Sequence, residues 1–182
     1  MSPLREVLDP GVLVSGAISP QGSPDRILHA WQGEALDLVV CPRLLDELAL
    51  VLRREKFRTR LPHEYSEEFL SLVADLATLV PDPREVPAVT RDPKYDYLLA
   101  VAREAGTDHL VSGDRRHLPP DPTASPPIIT PAQLVELLDG RGAFERTGRT
   151  TQRTAQLAAW RARRSRWQVA HRQSRRGRER GD

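Results

Sequence analysis

Residues 92–114 read DPKYDYLLAVAREAGTDHLVSGD, and this stretch decides the fold. Asp92 followed by Pro93 reads as a helix N-cap with proline at the first helical position, where its missing N–H and fixed φ do no harm. Leu98, Leu99, Val101, Ala102 and Ala105 then recur at helical spacing, and Gly106 supplies a stop. Residues 109–112 (HLVS) follow as an apolar, β-prone run. A helix that hands directly to a short buried strand is half of the repeating unit of a parallel α/β sheet.

Outward from this unit the alternation repeats. Residues 5–8 form a short strand leading into Asp9; beyond a Gly/Ser/Pro stretch, Ser23 and Pro24 open a helix. Residues 36–40 are a second strand, and Pro42 opens a helix to residue 54. Residues 63–77 place Phe69, Leu70, Val73, Leu76 and Ala77 on one helical face, and residues 78–80 read as a third strand. Ile128 and Ile129 make the last strand, and Thr130 before Pro131 caps a closing helix. The pattern predicts one α/β domain over residues 1–140, without internal repeats.

Charge divides the chain where that domain ends. Residues 1–140 hold 14 Lys+Arg against 22 Asp+Glu, a net −8, whereas residues 141–182 hold 13 arginines against 3 acids, a net +10. An acidic body suggests carboxylates with a task for cations, and an arginine tail attracts polyanions. Without a strong apolar stripe, residues 141–182 read as a linker and a disordered or conditionally helical tail. Its Arg161, Arg163, Arg164 and Arg166 are candidates for nucleic-acid phosphates, and Trp160 and Trp167 for stacking on bases. Cys41 is the one cysteine, and nothing has the spacing of a zinc site. With no apolar run long enough for a signal peptide or a membrane span, the expected location is the cytoplasm.

Among the acids, Asp9 and Asp114 fall at the C-terminal ends of predicted strands, the edge where open α/β sheets bind ligands. A strand-end aspartate more often starts a turn. Glu47 sits at the edge of the apolar face made by Leu44, Leu45, Leu48, Val51 and Leu52, while its neighbour Asp46 points away from it. Asp96 lies in the first turn of its helix, where negative charge suits the macrodipole. Asp92 is sufficiently explained as a cap, with an accessory metal role as the alternative. Carboxylates gathered at one edge repel unless a cation joins them. Oxygen-only donors favour Mg²⁺ or Mn²⁺ over zinc.

In this order and spacing, the chain resembles the PIN-domain family, specifically stand-alone bacterial toxins of toxin–antitoxin pairs. The likeness spans residues 4–138. It rests on Val7-Leu8-Asp9 with Val12 to Ser15 behind it, Gly22-Ser23-Pro24, Leu45-Asp46-Glu47-Leu48, residues 92–102 and residues 110–114 (LVSGD). The resemblance implies a five-stranded parallel sheet of order 3-2-1-4-5 flanked by helices. It implies Asp9, Glu47, Asp96 and Asp114 as catalytic metal-binding acids, with Ser112 as an accessory. It further implies a divalent-metal-dependent ribonuclease, an RNA substrate, an antitoxin partner and a homodimer. Pro10 and Gly11 stand where the family usually has Thr and Asn. That departure keeps a rival in view, a catalytically weakened PIN fold that binds RNA or a partner. A small phosphatase is the other rival, but residues 9–11 show neither Asp-x-Asp nor a glycine-rich phosphate loop.

Overall fold

The computed structural model describes residues 2–88, 93–114, 125–143 and 151–178, with the side chains of residues 152, 153 and 171–178 left aside. Asp92 lies outside the described residues. The elements run β1 (Leu4–Leu8), α1 (Pro10–Ile18), α2 (Ser23–Gln32), β2 (Leu36–Val40), α3 (Pro42–Leu52), α4 (Glu55–Arg58), α5 (His63–Leu76) and β3 (Thr78–Leu79). There follow α6 (Pro93–Glu104), β4 (His109–Val111), β5 (Ile128–Ile129), α7 (Pro131–Gly140) and α8 (Gln152–Arg178).

The five strands form a sheet of order β3-β2-β1-β4-β5, every pair parallel. This is the expected α/β architecture and strand order. Register matters for the site, because Leu8 pairs with Val111 and so sets the C-terminal ends of β1 and β4 side by side. Helices cover both faces, as parallel sheets require, and Val7, Leu38, Val39, Leu98, Leu99 and Leu110 are completely buried between the layers.

Most predicted elements stand within a residue or two of their expected ends. Gly106 closes the turn after α6 with φ +61°, a left-handed conformation that only glycine adopts without strain. Thr130 caps α7 through a reciprocal bond with Gln133, its hydroxyl accepting from the Gln133 N–H.

One helix was not expected. The Gly/Ser/Pro stretch after Asp9 contains α1, for which Asp9 is the N-cap and Pro10 the first residue. Pro10, Val12, Leu13, Val14, Gly16, Ala17 and Ile18 are all buried. A helix covered nearly all round has no amphipathic period to read. Gly16 allows the close approach of α2, since a Cβ there would lie 2.8 Å from both the Pro24 carbonyl and Leu28 Cδ1.

Where composition suggested a tail outside the fold, residues 152–178 form α8, which packs on α5 and α2. Trp160 is fully buried, stacks on Phe69 at 4.8 Å and donates its indole N–H to the Tyr65 carbonyl at 3.1 Å. Arg161 donates to Asp25 Oδ1 at 2.9 Å. Arg164 donates to the Gly16 and Ala17 carbonyls at 2.7 and 3.1 Å, and Gln168 to the Ile18 carbonyl at 2.7 Å. These are the last carbonyls of α1, which have no partners within their own helix. Arg163 pairs with Glu68, Trp167 tilts against Tyr65 at 6.2 Å, and Arg166 is exposed. Trp160, Arg161 and Arg164, expected as candidates for RNA contact, are thus turned inward and bonded to the body. Among the described residues, no helix is long and apolar enough to cross a membrane.

Candidate active site

The site is built where β1 and β4 end together. The Asp9 N–H donates to the Val111 carbonyl at 2.9 Å, the last rung of the ladder, and the chain then turns into α1. Pro10 fixes the first helical φ, and the Gly11 N–H donates to Asp9 Oδ1 at 2.7 Å. At the positions where the family usually has Thr and Asn, the backbone of α1 therefore orients the aspartate. Asp9 Oδ2 accepts from the Ser112 hydroxyl at 3.1 Å. Ser112 is 1% exposed and Asp9 4% exposed, so this contact is shielded from water and fixes the carboxylate plane.

Asp114 follows Ser112 by one turn of chain, and its N–H donates to the Ser112 oxygen at 3.2 Å. Asp9 and Asp114 line one cavity of about 320 Å³, together with Gly11, Ser15, Lys94, Tyr95 and Gly113. Tyr95 registers both acids. Burial first, then the negative charges of Asp9 and Asp114, push its phenol up to about 12, so it stays a neutral hydroxyl.

Glu47 reaches the site from α3. Its Oε2 accepts from the Tyr97 hydroxyl at 2.6 Å, and its Oε1 lies 2.9 Å from the Lys94 ammonium. Lys94 is also 3.8 Å from Asp9 Oδ1, so one ammonium links the two carboxylates. Burial lowers the Lys94 pKa, but the Glu47 hydrogen bond and the charges of Asp9 and Glu47 outweigh it, leaving the pKa raised. Arg43 covers the other side of Tyr97, its guanidinium carbon 4.1 Å from the ring centroid. Asp46, one residue before Glu47, is exposed, as the helical phase predicts.

Of the four expected acids, Asp9 and Asp114 line one cavity, and Glu47 is linked to Asp9 through Lys94. Asp96 is buried at 5% exposure in the first turn of α6 and lies outside the set that lines the cavity. Among the described residues, no group of three or more His, Cys, Asp or Glu side chains is placed to hold a metal ion together. The pair Asp9 and Asp114 still suits a hard cation, since Mg²⁺ is commonly held by one or two carboxylates and completes its shell with water.

The sequence reading missed Lys94 and Tyr97. A signal for Lys94 was present: a cation in the first turn of a helix opposes the macrodipole, which suggests an external carboxylate partner.

A family model of the PIN domain matches residues 5–116, from the start of β1 to just past Asp114. No curated protein sequence matches the chain. The family match agrees with the sheet order and with acids at the ends of β1 and β4. The chain belongs to the PIN-domain family, whose members are generally nucleases.

Proposed function

We propose that the chain is a divalent-metal-dependent endoribonuclease, acting on single-stranded or looped RNA as the toxin of a toxin–antitoxin pair. The observation that carries this reading is the Asp9–Ser112–Asp114 arrangement. It sets two carboxylates on one cavity at the C-terminal edge of the sheet, with a buried hydroxyl that donates to the Asp9 carboxylate and accepts from the Asp114 backbone N–H.

Asp9 and Asp114 would hold the ion, which when bound activates water and neutralises phosphate charge. The protein's own groups hold that arrangement in place. Ser112 and the Gly11 N–H fix the Asp9 carboxylate, and Glu47 and Tyr97 hold the region around Lys94. The Lys94 ammonium is a donor for a non-bridging phosphate oxygen at the cavity wall. In the reaction, water oxygen bonds to phosphorus as the bond to the 3′ oxygen breaks, leaving a 5′-phosphate and a 3′-hydroxyl. The same reading has the protein work in the cytoplasm as a homodimer restrained by an antitoxin. Incubating the purified protein with mixed RNAs in Mg²⁺, Mn²⁺ or EDTA tests it, with new 5′-phosphate ends expected only when an ion is supplied.

A further inference from the structure

The acids of this site are not equally open to an ion, and the difference lies on the two sides of the Asp9 carboxylate. Oδ1 receives the Gly11 N–H at 2.7 Å and has the Lys94 ammonium at 3.8 Å. Oδ2 receives the Ser112 hydroxyl, and Ser112 leads directly to Asp114. On the Oδ1 side the ammonium also lies 2.9 Å from Glu47 Oε1. An ion bridging Asp9 and Glu47 would need oxygens at about 2.0–2.6 Å and would overlap that ammonium. Even beside it, a divalent charge would be repelled at short range. The space between Asp9 and Glu47 thus takes a lysine or an ion, but not both.

Resting on the metal-dependent reading above, we infer that Lys94 is a tethered cation filling the place of a second metal ion, so that the site takes one divalent ion, at Asp9 and Asp114. Glu47 then acts as a positioning residue that anchors Lys94, and is not a metal ligand. The arrangement also accounts for Tyr97, whose hydroxyl occupies the second Glu47 oxygen at 2.6 Å and fixes the first toward Lys94. Lys94 lines both the Asp9 cavity and a neighbouring one of about 410 Å³ beside Arg43, Leu50 and Tyr97. It stands at the wall between the two cavities, within reach of a backbone phosphate passing from one to the other.

Counting ions tests this without relying on activity. Mn²⁺ is titrated into the full chain and free ion is followed by electron paramagnetic resonance, with the wild type compared with Lys94→Met and Lys94→Arg. Circular dichroism confirms that each variant is folded. The inference predicts one site in the wild type and in Lys94→Arg, and two in Lys94→Met, where Asp9 and Glu47 lose their ammonium. It also predicts that the second site vanishes in Lys94→Met/Glu47→Gln. RNA cleavage should fall about 100-fold in Lys94→Met at low Mn²⁺ and recover in part at high Mn²⁺. Two ions in the wild type, or one in Lys94→Met, would overturn the inference and leave the metal-dependent reading standing. No ion in the wild type would overturn both.

Discussion

The Ser112 hydroxyl donates to Asp9 Oδ2 at 3.1 Å across the junction of β1 and β4, joining residues 103 apart in sequence inside a water-excluded contact. The bond ties the nuclease reading to the fold, because only the parallel register Leu8 to Val111 brings these side chains together. Ser112→Ala removes it and leaves the Asp114 N–H without its acceptor. Hydrogen bonds to charged groups contribute about 1.5–3 kcal/mol, so kcat for RNA cleavage should drop at least about tenfold. Ser112→Thr keeps the hydroxyl and should retain most activity. Equal activity in Ser112→Ala and the wild type would show that Asp9 does not need this support.

Adjacent acids on α3 should behave differently. Glu47 holds Lys94 and Tyr97, whereas Asp46 is exposed. Glu47→Gln should lower cleavage by about 10–100-fold, and Asp46→Asn should leave it near wild type. Measuring both alongside circular dichroism separates lost function from lost folding. Similar losses in the two variants would contradict the assignment.

Stability should fall as pH rises from 5 to 8, through a buried pair remote from the cavity. Glu6 is 0% exposed and lies 2.8 Å from His109 Nδ1, with Asp108 and Arg141 as the other charges acting on the pair. Burial pushes the Glu6 carboxyl up from 4.5 to about 7, and the Glu6 hydrogen bond raises His109 above its ordinary value. In both cases the folded state keeps its proton to higher pH than the unfolded chain. Folding therefore takes up protons, and the stability gained at low pH is lost as pH rises through the folded pKa values. The Glu6 contribution is lost from about pH 4.5 up to 7, on the order of 3 kcal/mol, and that of His109 above 6.5. Thermal melts across this range should show a falling Tm that Glu6→Gln flattens. A Tm that rises toward pH 8 would contradict the shifts.

Helix α8 should stabilise the whole domain. Asp25, 7% exposed, faces Arg161 at 2.9 Å and Arg164 at 3.3 Å, so Asp25→Ala leaves two buried guanidinium groups without their carboxylate. Breaking such a buried pair costs about 3–5 kcal/mol, and Trp160→Ala should cost a similar amount through lost packing. Urea denaturation of both variants measures this, and truncation after Gly140 should destabilise more than either. An unchanged midpoint in all three would show that α8 contributes nothing to the fold.

The sequence showed the strands and capped helices because their signals are local: Pro93 after Asp92, Thr130 before Pro131, and the apolar run at residues 36–40. It did not show α8's inner face because that face is only partly apolar. Leu157 and Trp160 are joined there by Arg161, Arg164 and Gln168, whose polar ends reach backbone carbonyls and Asp25. A hydrophobic pattern cannot register burial achieved by hydrogen bonding. For the site, strand ends identified Asp9 and Asp114, and helical phase separated Glu47 from Asp46. The Lys94 link escaped because it depends on how α3 and α6 meet, which no local pattern encodes.

The central claim, metal-dependent RNA cleavage at Asp9, is tested most directly by comparing purified wild type with Asp9→Asn on the same mixed RNAs. Both are assayed with Mg²⁺, with Mn²⁺ and with EDTA. Asp9→Asn keeps size and shape but removes the charge that faces Asp114 and Lys94, and folding is confirmed by circular dichroism. The wild type should release fragments with 5′-phosphate ends in Mg²⁺ or Mn²⁺ and none in EDTA, while Asp9→Asn loses at least about 100-fold in rate. Cleavage by the wild type that persists in EDTA, equal rates in the two proteins, or no cleavage with either ion would contradict the account.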